Sequence, residues 1–346
     1  MEHKIFFSTL KNRVNQLFID HDISPKGNRE LYIKTVFWLG LWFALYIFLL
    51  LPFFPGMVKL YILSPLLGIA SAGIGFNIMH DASHGAYAEK KNQQLNTLLS
   101  FTLELVGPVS SLWLIKHVFI HHSLVNTQHD DDIETGGLMR MSPHQERKWF
   151  HRYQHLYAPL LYGLLAFQWI YIADFRKYFS KKIHTRKITM TQKDKGIFWI
   201  AKICHVLFFI IIPIIFYGPK ALLCLAVYLF VVGLLISIVF QLAHVHEYAV
   251  FEKTHDKGKL IKNFHIHQIH ETVDFATKNK VLTWLLGGLN FQVVHHLFPE
   301  ISHVHYPAIQ PIVKGTCEDF NESYTEITLW QAFTSHFQHL KNMGRE

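Results

Sequence analysis

The chain has 346 residues, half of them hydrophobic, with 29 Phe, 14 Tyr and 8 Trp and a formal net charge of +8. Length alone would allow two soluble domains, but the apolar residues lie in uncharged runs near the roughly 20 residues that cross a bilayer as helix, which excludes that reading. Cys204, Cys224 and Cys317 are far apart, so neither a disulfide framework nor a CxxC metal site is expected.

In chain order, residues 1–34 carry six Lys or Arg and precede an apolar run too long for a cleavable signal peptide. Spans one and two are TVFWLGLWFALYIFLLL (35–51) and LYILSPLLGIASAGIGFNIM (60–79). Spans three and four are 197–217, which carries Lys202 and His205, and 221–240. Two further stretches are interrupted: 97–115 by Glu104 and Gly107–Pro108, and 156–174 by Pro159 and Gln168. Both are read as interfacial or re-entrant helices. The links 52–59 and 218–220 carry one lysine each, whereas 175–195 carries eight basic residues. Lys and Arg mark the cytoplasmic side, so both termini and the middle segment are expected there.

The fold class that follows is an all-α polytopic membrane protein with four transmembrane helices and a cytoplasmic helical cap. It is one domain, 1–346: an N-terminal segment (1–34), spans one and two (35–79), cap (80–196), spans three and four (197–243), and cap with C-terminal segment (244–346). The basic face reads as positive-inside topology with attraction to anionic lipid, not as a nucleic-acid surface; a docking surface for an acidic protein is the alternative.

Histidine is the anomaly, at 25 copies. The groups are HDASH (His80, His84), HVFIHH (His117, His121, His122), HVH (His244, His246) and QVVHH (Gln292, His295, His296). Residues four apart on a helix share a face, so His80 with His84, and His117 with His121, can converge on one ion. Adjacent histidines diverge by about 100° and reach different ions, so one HxxxHH helix can serve two metals. His80 ends span two and His244 ends span four, which puts the groups at one level. His244, nearer the membrane end, is preferred to His246. Imidazole suits Zn, Cu, Fe and Ni; with eight placed histidines and no HExxH, two neighbouring redox metals suit oxygen activation on an apolar substrate better than one zinc. Asp81, Asp130 and Asp132 can orient the imidazoles from behind, while Asp131 and Glu134 read as capping and solvation. His205 reads as a packed core residue. His129, His151, His155, His265, His267, His270, His303 and His305 read as surface or supporting residues.

With these boxes on the page, the sequence resembles the membrane fatty acid desaturases, whose pattern is HxxxH, HxxHH or HxxxHH, and a final HxxHH or QxxHH. FNIMHDASHGAY, KHVFIHHSLVNTQHDDDIE and GGLNFQVVHHLFPEISHVHYP, with Gln292 for the first histidine, are similar to the front-end (delta-6-type, linoleoyl-CoA-desaturase-like) bacterial group. The similarity runs from about residue 30 to 315. It implies two iron ions held by His80, His84, His117, His121, His122, His244, His295 and His296. Gln292, Asp81 and Asp130 would be weak ligands or would hold a ligand by hydrogen bond. It also implies use of O₂ and two electrons to place a cis double bond in a lipid- or CoA-linked acyl chain, in a bacterial inner membrane with the site facing the cytoplasm. No His-Pro-Gly-Gly haem motif occurs, so a separate ferredoxin or cytochrome b5-type donor is expected. A di-iron lipid hydroxylase or ketolase shares the metal site, but Gln292 and its context favour the desaturase. A metal transporter would hold ligands at mid-membrane, where this sequence has only Lys202 and His205.

Overall fold

In the computed structural model, which describes residues 2–184, 186–254 and 260–346, the chain is mostly helical. The first helix, α1 (Glu2–Asp20), repeats Phe6, Leu10, Val14 and Phe18 at four-residue spacing, and this stripe is buried against Val294, Ile309, Val313 and Cys317. Helix α2 (Arg29–Leu50) starts where the Asn28 side chain accepts from the Glu30 and Leu31 N–H groups. It leaves Val36, Phe43 and Ile47 outward as an apolar surface.

Helix α3 (Gly56–Ser83) contains Pro65, which has no N–H to donate. The helix widens into a π turn over Lys59–Leu63 just before it, and the Ser64 hydroxyl donates to the Lys59 carbonyl at 2.8 Å. Of its span, 78% is buried against 22% for α2, so α3 is the central strut and α2 the outer one. Trp38, Trp42, Leu67, Ile74, Tyr228 and Val232 pack around it. The Trp42 indole N–H donates to the Ser71 hydroxyl at 2.9 Å, which keeps the one polar edge of that ring satisfied.

Helices α4 (Lys90–Val106) and α5 (Ser110–Leu124) meet at 109°. The corner is Gly107, at φ +124°, a conformation that side chains disfavour. The re-entrant shape expected for 97–115 is therefore a sharp corner at the Gly107–Pro108 break. Helix α6 (Trp149–Ser180) is one run of 32 residues, longer than the 156–174 stretch and apolar enough to cross a membrane. The run Gln192–His244 is helical for 53 residues but folds back at Gly218, where φ is +64°. Phe209 stacks on Tyr228 at 5.2 Å across that turn, so the run is a hairpin of α7 (192–217) and α8 (Ala221–His244). Among the described residues, four helical runs are long and apolar enough to cross a membrane, or five if the α4–α5 pair counts as one.

Helix α6 crosses α8 where Gly163 meets Gly233. A Cβ on Gly163 would stand 2.1 Å from the Phe230 ring, and one on Gly233 would stand 2.7 Å from the Gly163 carbonyl. Small residues here let the backbones touch. At one end of α6 the Gln154 amide donates to the Arg140 and Leu340 carbonyls at 2.8 and 2.6 Å. At the other, Lys177 pairs with Asp131 at 3.1 Å. Both ends thus reach the polar layer beside the histidines.

That layer is built from α9 (Phe264–Glu271), α10 (Lys280–Leu285), α11 (Gln292–Leu297), α12 (Tyr306–Asp319) and α13 (Leu329–Met343), with α1 clasped onto it. Among the described residues there are also four two-residue strands. β1 (Lys182–Ile183) pairs antiparallel with β2 (Arg186–Lys187), and β3 (Asp274–Phe275) pairs parallel with β4 (Glu326–Ile327). The β3 segment continues to α11, where Asp274 accepts from the Val293 N–H at 2.8 Å and fixes the helix that carries the third box.

Candidate metal centre

Four elements deliver the histidines to one place. His80 lies on the last turns of α3, and His84 is its C-cap at φ −84°, ψ 0°. His117 and His121 lie on a π turn over Ile115–His121 of α5, with His122 next. His244 is the last residue of α8, and His295 and His296 lie on α11. All eight are buried. Ring nitrogens of His80, His84, His117 and His295 lie within 4.8 Å of one another, as do those of His121, His244 and His296. His122 joins His295 and His296 in a third such set and so stands between the two. The adjacent rings fall to different groups, His121 and His296 in one and His295 in the other, and the ring planes are inclined at 81° for His121–His122 and 84° for His295–His296.

The outward nitrogens are tied down. The His121 Nδ1–H donates to Asp130 Oδ2 at 3.0 Å, and the same oxygen accepts from the Asn126 N–H at 2.9 Å. The His296 Nδ1–H donates to Gln268 Oε1 at 2.7 Å, while the Gln268 amide donates to the His122 carbonyl at 3.1 Å. His295 Nδ1 lies 3.0 Å from the Tyr306 hydroxyl. The Gln292 side-chain amide lies 2.8 Å from His244 Nε2. Asp132 sits 3.5 Å from Nδ1 of both His117 and His121, and Lys116 binds its other oxygen at 2.6 Å. Fixing one ring nitrogen chooses the tautomer and aims the other inward.

The donor set fits metal. His84 Nε2, His121 Nε2, His244 Nδ1 and His296 Nε2 are buried with no hydrogen-bond partner. Each such atom costs about 1–3 kcal/mol if nothing answers it. His80 Nε2 and His117 Nε2 are 3.3 Å apart, and His122 Nε2 and His295 Nε2 are 3.0 Å apart, so ring nitrogens converge within the first group and where His122 meets it. Burial, with the neighbouring histidines adding to it, holds His84, His295 and His296 well below the usual imidazole range. They are therefore neutral near pH 7, the form that binds metal. Either group, with His122 between them, could hold a metal ion. Trp113, stacked on His117 at 4.5 Å, and Phe240, 5.0 Å from His121, form an aromatic wall beside them.

The structure thus brings together His80, His84, His117, His121, His122, His244, His295 and His296, with Gln292 and Asp130 touching them. His246 stays outside the groups and lies 3.2 Å from the Ala243 carbonyl. Asp81 supports another residue: it lies 3.0 Å from His303 Nδ1 and accepts from the Ser302 hydroxyl at 2.6 Å. His303 in turn meets the Lys34 ammonium at 2.7 Å and is buried, not at the surface. His151 and His305 are likewise buried. His205 is packed, with Nε2 2.9 Å from the Tyr171 hydroxyl. Asp131 is not a solvated cap, since it pairs with Lys177. Gln268 and Tyr306 were missed. Each lies on a helix near a histidine box, but a lone amide or phenol has no spacing pattern to betray it.

A family model described as fatty acid desaturase matches residues 57–328. The chain is 36% identical to the sn-1 linoleoyl-lipid 6-desaturase of Arthrospira platensis, covering 98% of this chain and 92% of that protein. It is 33% identical to the protein of the same name from Synechocystis sp., over 98% and 96%. It is 34% identical to the acyl-lipid (8-3)-desaturase of Physcomitrium patens, over 99% of this chain and 72% of that one. Buried imidazoles converging beneath apolar helices, on a sequence related along nearly its whole length to enzymes of one kind, make the chain a membrane oxidoreductase that desaturates fatty acyl chains, and it belongs to the fatty acid desaturase family.

Proposed function

We propose that the chain is a front-end acyl-lipid desaturase with two iron ions. One is held by His80, His84, His117 and His295, the other by His121, His244 and His296, with His122 between them. The observation that carries this is the partition of the nitrogens into two groups with no residue in common, linked through the set of His122, His295 and His296. Irons bound there would supply the O₂-dependent removal of hydrogen that an acyl C–H bond needs. The protein's own part is to orient the imidazoles through Asp130, Gln268 and Tyr306, and to lay the chain along Trp113 and Phe240. Gln292 is 2.8 Å from His244, so its role is to hold that ring by hydrogen bond.

The relatives named for lipid-linked substrates favour a glycerolipid-linked acyl chain, with the new double bond on the carboxyl side of an existing one. The proposed topology has four crossings, α2, α3, α7 and α8, in a bacterial inner membrane, with both termini, the histidines and the whole of α6 on the cytoplasmic side. Attachment of both ends of α6 beside the histidine layer supports leaving it uncrossed. Electrons come from a separate ferredoxin or cytochrome b5-type protein. Fatty-acid profiling of a host that lacks the activity and expresses this chain, with double-bond positions mapped by mass spectrometry, tests the proposal. One new double bond between the carboxyl and an existing double bond is expected. A hydroxylated product, or a bond on the methyl side, would reject it.

A further inference from the structure

At the far end of the bundle from the histidines lies a cavity of about 450 Å³. Its walls are apolar residues of α2, α3, α7 and α8, including Leu49, Leu67, Phe209, Leu225 and Tyr228. Two cations line it, Lys59 and Lys220. A lysine at the end of a spanning helix ordinarily snorkels to water, and Lys220 at the hairpin tip is exposed as that rule predicts. Lys59 is only 4% exposed, and its Nζ is buried with no hydrogen-bond partner. The Tyr217 ring covers one side of the ammonium, with its centroid 3.4 Å away. None of the three phenols in the cavity is a partner of this ammonium: Tyr46 donates to the Phe208 carbonyl, Tyr217 to the Leu50 carbonyl, and Tyr228 bonds with the Ser71 hydroxyl. A buried ammonium whose N–H groups find no acceptor is costly unless an anion meets it. Nothing in the chain nearby supplies one: residues 31–80 and 195–246, which build this end of the bundle, contain no Asp or Glu.

We propose that this cavity binds an anionic phospholipid of the leaflet opposite the histidine cluster, with the phosphate on Lys59 and Lys220 and one acyl chain inside. The volume equals roughly fifteen water molecules, which suits one chain and not two. A phospholipid's phosphodiester lies at the headgroup level where these helices end, and its two non-bridging oxygens can meet the two lysines. Lys59 and His80 are 21 positions apart on α3, about 31 Å along the helix, so this site is separate from the metal centre. It stands whichever acyl bond the enzyme oxidises.

The test is native mass spectrometry of the full chain, released from a neutral detergent and titrated with dioleoyl phosphatidylglycerol, dioleoyl phosphatidylcholine or oleate. One phosphatidylglycerol per chain is expected, with phosphatidylcholine and oleate binding more weakly. Lys59→Met should weaken phosphatidylglycerol binding at least about fivefold, and Lys59→Arg should restore it. Should Lys59→Met fail to fold, Leu225→Trp fills the apolar wall without touching a charge and should lower phosphatidylglycerol retention. Equal binding of phosphatidylcholine, displacement of phosphatidylglycerol by equimolar oleate, or unchanged binding in Lys59→Met or Leu225→Trp would overturn the proposal.

Discussion

Asp130 offers the most direct test of how the protein holds its imidazoles. Its carboxylate is buried and accepts from three donors: the His121 Nδ1–H at 3.0 Å, the Asn126 N–H at 2.9 Å and the Asp132 N–H at 2.9 Å. Asp130→Asn keeps the shape but replaces one oxygen with a donor. One of the three N–H groups is then left unmet, at about 1–3 kcal/mol, and the bond to His121 loses its charge assistance, about 1 kcal/mol more. Because His121 can then present either tautomer, its inward Nε2 is no longer guaranteed as a ligand. Loss of such a supporting contact weakens metal binding about 10–100-fold. Iron per chain, measured by plasma mass spectrometry after dialysis against graded chelator, should show that weakening for one of two ions, while the protein still extracts and elutes as the parent does. Asp130→Ala orphans all three donors and should also lower thermal stability. Unchanged iron retention in Asp130→Asn would refute the claim that this carboxylate sets the His121 ring.

His244→Ala should lower bound iron from two per chain towards one and abolish desaturation, whereas His246→Ala should keep both ions. Equal iron in the two variants, measured by the same method, would contradict the choice of His244. Asp274 is one pH-sensitive group: burial raises its carboxyl to about 7, against the lowering effect of Tyr324 and the Val293 N–H. The folded state therefore holds a proton that the unfolded chain releases near pH 4. Stability from this group is full below about pH 4 and is lost between about 4 and 7, at up to about 1.4 kcal/mol per pH unit. Unfolding temperatures in detergent at pH 5, 6 and 7 should fall with pH in the parent and fall less in Asp274→Asn; parallel curves would exclude Asp274 as the cause.

The histidine boxes were legible because ligand spacing is a local property of a helix: His80 with His84, and the diverging pairs 121–122 and 295–296, follow from periodicity alone. The Gly107–Pro108 corner was legible for the same reason. What stayed hidden depends on tertiary contact. Nothing in the run 149–180 announces that both its ends return to the polar layer, since that is decided by Gln154 meeting Leu340 and Lys177 meeting Asp131. His303 is more than two hundred positions from both Lys34 and Asp81, yet the three form one buried chain of contacts. Asp81 looked like a support for the neighbouring His80 because sequence adjacency stands in for spatial adjacency until the fold is known. Gln292 was ambiguous between ligand and hydrogen-bond partner, and its 2.8 Å contact with His244 gives the partner role a definite geometry.

The clasp of α1 onto the segment after the third box bears on how the molecule is made. Phe6 and Leu10 emerge from the ribosome first but pack on Ile309 and Val313, and His80 must await His296. At about 5–20 residues per second, the nascent chain spends on the order of ten seconds or more with its first spans already threaded into lipid and its imidazoles unassembled. Assembly of the imidazole cluster is therefore a post-insertion event, and a chain that stops between residues 244 and 296 would carry its apolar helices yet lack His296.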